Sequence, residues 1–449
     1  METYRRSLLL AAGAMPLAVP FIARAQGTAL PPPILFVHGN GDHAALWLST
    51  LWRFESNGCP PDRLLAVDMP DPLARDDDAV PQPGRSGSAE QTARLAAFVA
   101  EFRARHGGAR IALVGNSRGG YPIRDFVVHQ GGSDAVSHAV LCGTPNRGVY
   151  DWPEIRNREF NSQSDFLRRL NGGATDVVPG TAFLTIRSAW NDVFAQPRAI
   201  WSTTPDRPTG TDVDGPELRG ATNLVLGALD HREVAYHHRA FAEIFSFVTG
   251  RPPARISVEP EARPVLDGRV TNTAGGVTNR PVAGATVELY RVSPETGERM
   301  GDAIHRRVTE EDGRWGGVPV GPDWTLEFVV AAPRHPITHI YRGPFPRGST
   351  VVNLRPARAP TQAERDGGGG VVLFQRTRGY FGIPRDAILL DGRVPPELRP
   401  GVAISALATR QIPAAELGRP VVGIFNEERV VSRAWPAAEN RITLAELTW

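Results

Sequence analysis

Lysine is missing from the 449 residues, so each of the 50 basic side chains is an arginine. That bias reflects codon usage rather than function. Cysteine occurs only twice, which excludes a disulfide-dense scaffold and leaves too few thiols for a cysteine-rich metal site. There is no long run of one charge, and 50 basic against 48 acidic residues leave a net charge of +2. Electrostatic capture of nucleic acid or of an anionic membrane is therefore not indicated. Apolar residues at 41% and charged residues at 22% suit a soluble globular protein rather than a disordered one. The length calls for two or three domains.

The N-terminus reads as an address. Residues 1–25 are METYRRSLLLAAGAMPLAVPFIARA. Arg5-Arg6, the apolar stretch Ser7 to Ile22 and Ala23-Arg24-Ala25 match a twin-arginine signal with an A-x-A cleavage site. A membrane anchor is the competing reading. The stretch offers about 16 apolar or small residues, with Pro16 and Pro20 among them, and a span needs roughly 20. The expectation is export, with a working place in the periplasm or outside the cell and no membrane-spanning segment in the mature chain.

From 26 to 250 short apolar runs alternate with helical stretches, the pattern of a mainly parallel sheet with helices on both faces. Strands are expected at Pro33–Val37, Arg63–Val67, Ile111–Val114, Ala139–Cys142, Phe183–Ile186 and Asn223–Leu226. A helix is expected from Ala89 to His106, capped by Ser88 and stopped by Gly107, and another from Val234 to Val248. After Gly250 helical periodicity disappears, and runs such as GATVELYRV, TLEFVV and STVVNLR recur between turn residues. That texture predicts one or two all-β domains, sandwich or barrel. Arg251-Pro252-Pro253 is the expected hinge. Asp366-Gly-Gly-Gly-Gly370 is the expected linker between a β-sandwich at 251–365 and a second β-rich module at 366–449.

Chemistry concentrates in the first of these regions. Ile111–Val114 runs into Gly115-Asn116-Ser117-Arg118-Gly119, a G-x-S-x-G with a helix expected from Tyr121 to Gln130. In a strand-turn-helix context this is a nucleophile elbow that holds a serine hydroxyl clear of the sheet. A serine needs a base, and the base needs an orienting carboxylate. His231, just past the last strand, is the base, with His237 and His238 as rivals inside the closing helix. Asp192, in FLTIRSAWNDVFAQP, is the acid. Asp230 adjoins His231, but neighbours on an extended stretch point to opposite sides. The first strand leads into His38-Gly39-Asn40-Gly41, so the backbone amides of Asn40 and Arg118 are the expected oxyanion hole, with His38 shaping the loop. A metal site of His38, Asp42 and His43 is the alternative, without a recognisable zinc spacing. No metal or organic cofactor is expected. The stretch 144–180 carries Trp152, Phe160, Phe166 and Leu167 but no clear strand, which predicts a cap over the site. Its aromatics either line an apolar substrate pocket or pack beneath the cap.

The His-Gly loop, the elbow, the late Asp and the strand-end His together resemble the α/β-hydrolases of the lipase and esterase kind, over Pro31 to Gly250. His231-Arg-Glu-Val, FAEIFSFVTGRPP, ETGERM, WTLEFVV and HIYRGPFPRGSTVVNLR extend the resemblance to archaeal lipases with β-rich C-terminal domains. It implies an α/β-hydrolase fold followed by all-β structure. In those lipases the acid follows the strand after the elbow helix. Here that strand ends Leu141-Cys142-Gly143-Thr144-Pro145, without a carboxylate, which favours Asp192. Asn116 and Arg118 stand where lipases often carry His and an apolar residue. The Arg118 charge either biases the pocket towards polar or anionic acyl groups or points outward. The resemblance implies a serine hydrolase that cleaves carboxylic esters through Ser117, Asp192 and His231, with lipids and polyesters as candidate substrates. An amide or lactone hydrolase with the same triad is an alternative, as is a secreted binding protein with a relic hydrolase domain. Cys59 and Cys142 form either one disulfide or two buried thiols. Oligomeric state is not legible.

Overall fold

A computed structural model describes residues 30–272 and 278–449, so the expected signal segment lies outside the described residues. Six strands form the first sheet: β1 (Ile34–Val37), β2 (Leu64–Val67), β3 (Ile111–Asn116), β4 (Val136–Cys142), β5 (Ala182–Arg187) and β6 (Thr222–Val225). Their order is β2-β1-β3-β4-β5-β6, and every pair is parallel. The sequence dictates this directly. ILFV in β1 and IALV in β3 are buried along their whole length, as strands covered on both faces must be.

The covering helices are α1 (Leu48–Ser56), α2 (Ser88–Arg105), α3 (Gly120–His129), α4 (Asp165–Leu170), α5 (Glu233–Tyr236) and α6 (His238–Thr249). Helix α2 lies where expected but is not capped by Ser88. Asp78 takes both the Ser88 amide (2.7 Å) and its hydroxyl (2.5 Å), so the cap moves to Gly87, whose amide donates to Glu90 at 3.1 Å. The helix expected over Val234–Val248 is broken at His237, whose backbone is extended (ψ 147°). Its ring nitrogen accepts the Arg239 amide at 3.2 Å and so caps α6.

Beyond α6 the chain is β-rich. Strands β7 (Thr286–Val292), β8 (His305–Val308), β9 (Thr325–Ala331), β10 (Ile337–Arg342), β11 (Gly370–Gln375), β13 (Leu407–Ile412) and β16 (Arg441–Glu446) form a seven-stranded sheet. Its order is β8-β7-β9-β10-β16-β11-β13. A three-stranded sheet, β12 (Ile388–Leu390), β14 (Pro420–Phe425) and β15 (Glu428–Arg433), shares a core with it through Phe374, Phe381, Val421 and Phe425. The glycine run at 366–370 therefore does not separate two sheets. Gly370 opens β11, and β16 lies parallel between β10 and β11, with Leu444 opposite Ile340 on one side and Leu373 on the other.

Nor does the hinge at 251–253 divide the core. Phe54, Phe241 and Phe245 belong to one buried cluster with Trp315, Phe328 and Phe345. Trp52 of α1 crosses the junction, donating from Nε1 to the Gly348 carbonyl (2.8 Å) and meeting Phe345 edge-on at 6.1 Å. Cys59 and Cys142 are separate buried thiols, and burial pushes Cys59 up to about 11. Among the described residues no helix is long and apolar enough to cross a membrane.

Candidate active site

Strand β3 ends in a tight turn. Ser117 sits in the left-handed region at φ 52°, a conformation that costs a non-glycine residue about 1–3 kcal/mol and gathers at functional sites. The chain then makes one short turn, Ser117–Gly119, and enters α3. The glycines on either side permit the close packing. A Cβ on Gly119 would lie 2.6 Å from the Val37 and His38 carbonyl oxygens, and one on Gly115 would lie 2.8 Å from the Gly119 backbone.

Asp192 follows β5 and His231 follows β6. His231 Nδ1 donates to Asp192 Oδ1 at 2.7 Å across 39 residues of sequence, and both side chains are buried. This leaves His231 Nε2 buried with no hydrogen-bond partner among the described residues. The Phe194 ring packs edge-on against the imidazole at 4.7 Å, and the Phe194 amide donates to Asp192 Oδ1 at 2.9 Å. Asn116, beside Ser117, ties the parts together. Its Nδ2 donates to the His231 carbonyl at 3.1 Å and to the Cys142 carbonyl at 3.0 Å. Its partners lie 26 and 115 residues away, so no local pattern in the sequence marks that role.

The rival residues are engaged elsewhere. Asp230 Oδ1 accepts the amides of Arg232 (2.8 Å) and Glu233 (2.9 Å), while Oδ2 accepts Arg376 and the Tyr380 amide, both at 2.8 Å. His237 caps α6, and its ring lies 4.0 Å from that of His238. His38 donates from Nδ1 to the Gly39 carbonyl (2.9 Å) and accepts the Met69 amide at Nε2 (3.0 Å), so neither nitrogen is left for a metal. Burial lowers its pKa despite the nearby Asp42 and Asp68. Burial and Arg355 hold His43 well below the usual histidine range. Among the described residues no group of three or more His, Cys, Asp and Glu could hold a metal ion.

The Arg118 side chain corrects both expectations for it. It neither enters the pocket nor reaches solvent, but turns into the protein against Glu159. Nε donates to both carboxylate oxygens at 2.8 and 3.0 Å, and Nη1 donates to the Pro72 carbonyl at 2.9 Å. Its amide occupies the start of a helical turn, where a backbone N–H has no intrahelical acceptor. Asn40 accepts the Ala74 amide at Oδ1 (2.8 Å), which fixes its loop. That loop lies close to Ser117, since a Cβ on Gly39 would stand 2.9 Å from Ser117 Cβ.

Ser117 and Asn40 line a pocket of about 210 Å³ whose other walls include Val149, Tyr150, Trp152, Phe160, Phe194 and Trp201. Trp152 and Phe160 come from the expected cap. Phe166 and Leu167 do not reach the pocket and pack instead against Tyr121 of α3. Phe194 and Trp201, which follow Asp192, reach the pocket from 188–221, a stretch without periodicity in which a tryptophan soon after Asp192 is the signal the sequence offers.

The β-rich half holds the loops of the site from outside. Asn279 donates to the carbonyls of Asp42 (2.8 Å) and Met69 (2.9 Å), and Arg355 donates to those of Gly41 (3.2 Å) and Asp42 (3.1 Å). The Ala403 amide donates to Asn191 Oδ1 at 2.9 Å, next to Asp192. Arg376 grips Asp230 and Glu233, on either side of His231 and Arg232. Burial alone would raise the Glu233 carboxyl, but Arg376 and Arg385 outweigh it and hold it at about 2.

Residues 34–268 match the alpha/beta hydrolase family. The chain belongs to that family, and residues 264–359 match the lipase C-terminal domain. No curated protein matches. Among solved structures the chain is similar to a lipase of Bacillus licheniformis at 20% identity, with 49% of this chain and 93% of that one covered and a TM-score of 0.36. Lipase B of Aspergillus fumigatus follows at 15% identity, 50% and 54% coverage and a TM-score of 0.35. A monoacylglycerol lipase of Paleococcus ferrophilus shows 12% identity, 49% and 96% coverage and a TM-score of 0.34.

Proposed function

We propose that the protein is an exported serine hydrolase of carboxylic esters, with a β-rich half akin to that of the archaeal lipases. The observation that carries the reading is the Asp192–His231 bond, which leaves Nε2 of the imidazole without a partner among the described residues, while Asn116, the neighbour of Ser117, holds the His231 carbonyl. Ser117 Oγ attacks the ester carbonyl while His231 Nε2 takes its proton. Asp192 keeps the other proton on Nδ1 and stabilises the imidazolium. The amides of Asn40 and Arg118 receive the oxyanion. Collapse breaks the bond to the alcohol, which leaves with the proton from Nε2, and the acyl group stays on Ser117. Water, deprotonated by His231, then attacks the acyl-enzyme and releases the acid and the free serine.

The test is hydrolysis of p-nitrophenyl acetate, with labelling by a fluorophosphonate, in the natural protein and in Ser117→Ala. Turnover and label should both vanish in the variant. Equal turnover by the two proteins would overturn the reading, and labelling at another serine would move the nucleophile.

A further inference from the structure

The pocket beside Ser117 is small and aromatic. Tyr150 and Trp152 stack at 4.7 Å, and Trp201 closes on them at 5.9 and 5.8 Å and on Phe194 at 6.2 Å. Arg158 is the one charged side chain among the described lining residues, and it faces Asp76 at 3.5 Å. The walls are fixed. Trp152 donates from Nε1 to the Pro208 carbonyl at 2.8 Å, with the Arg207 guanidinium 3.9 Å above its ring. The backbone bond from Asp151 N to Thr209 O (2.6 Å) joins the two wall segments, and the bonds from Ala199 N to Arg207 O (2.9 Å) and Thr209 N to Pro197 O (3.0 Å) close the second segment on itself. Widening the pocket would break several of these at once. An apolar cavity of about 150 Å³ takes one benzene ring, so one of about 210 Å³ takes about eight carbons.

Resting on the serine-hydrolase reading, we propose that this pocket is the acyl subsite. It takes compact acyl groups of up to about eight carbons, aromatic ones such as benzoyl included, and excludes long-chain lipid. Trp201 is the specificity-determining residue, because its ring closes the pocket against both Trp152 and Phe194. Flat rings suit these walls in particular, since an aromatic guest gains offset-stacked or edge contacts beyond its buried area.

The test is kcat/KM for p-nitrophenyl esters from acetate to palmitate, with benzoate, at sub-micellar concentration. Values should rise to hexanoate and benzoate and fall about tenfold or more from octanoate to dodecanoate. In Trp201→Ala the dodecanoate-to-hexanoate ratio should rise about tenfold. Trp201→Leu, a milder change, should move the ratio the same way if the alanine variant fails to fold. A steady climb to palmitate in the natural protein would overturn the proposal, as would an unmoved ratio in a folded variant. A size limit found with acetate esters of growing alcohols, and not in the acyl series, would overturn it too. Fluorophosphonate labelling of Ser117 keeps the two readings apart. A labelled protein with the wrong chain-length profile loses only the acyl subsite, and an unlabelled protein inert on every ester loses both.

Discussion

Arg118 and Glu159 meet as a buried ion pair one residue from Ser117, their side chains 2% and 1% exposed. The pair joins the elbow to the stretch 144–180. Arg118 also donates to the carbonyls of Pro72 (2.9 Å) and Ser86 (2.6 Å), so three segments converge on one guanidinium. Burial pushes the Glu159 carboxyl up while Arg118 pulls it down, and the net direction is upward.

Removing one partner leaves the other charge buried alone. Glu159→Ala should therefore destabilise the protein by about 3–5 kcal/mol, read from urea denaturation. Adding Arg118→Met should restore much of that loss, because a well-packed apolar side chain then replaces the stranded cation. A Glu159→Ala cost below about 1 kcal/mol would show that Arg118 finds another partner.

Asp192→Asn should leave the fold in place and lower kcat about 10⁴-fold, with KM little changed, because an amide favours the wrong imidazole tautomer. Steady-state kinetics on p-nitrophenyl acetate checks this. A variant that keeps kcat within about tenfold would place the orienting carboxylate elsewhere.

Burial, then His238, pushes His237 from 6.5 down to about 4, while Glu233 pulls the other way. Between these values the unfolded chain binds a proton that the folded chain refuses, so stability falls as pH drops from 6.5 to about 4. His38 and His43, also lowered by burial, add the same sign. His237→Asn keeps a capping side chain for the Arg239 amide and removes the titration. Its Tm should decline less over that pH range than that of the natural protein.

The hydrolase half should not stand alone. Cut after Gly250, the chain would expose Trp52 on the side that now meets Phe345 and Trp449, and would open the buried cluster to which Phe241 and Phe245 belong. It would also lose Asn279, Arg355 and Arg376 from the loops of the site. Residues 31–250 expressed without the rest should aggregate or hydrolyse no ester. A soluble fragment of full activity would reduce the β-rich half to an accessory.

Strands β1 and β3 were legible because their burial on both faces forces uninterrupted apolar runs, and the elbow was legible because its glycines are demanded by backbone contact. Asp192 and His231 were found as strand-end residues, and the structure brings them into contact. What escaped the sequence depends on partners far along the chain. Asp78 takes Ser88 away from the helix cap, and Glu159 turns Arg118 inward across 41 residues. The break at His237 has no glycine or proline to announce it. Trp201 reaches the pocket from an aperiodic stretch that gives no face to read. The glycine run at 366–370 looked like a linker because a composition cannot say that the strands beyond it return to the same sheet.

Strand β16 runs through the middle of the seven-stranded sheet, parallel to neighbours that precede it by some hundred and some seventy residues. During synthesis β10 and β11 are thus left as two bare edges, open to mispairing, until residue 446 clears the ribosome. A nonsense or frameshift mutation just before Arg441 would remove the keystone of the sheet rather than its fringe. Damage to the codons of β16 should therefore silence the gene as thoroughly as damage to the Ser117 codon.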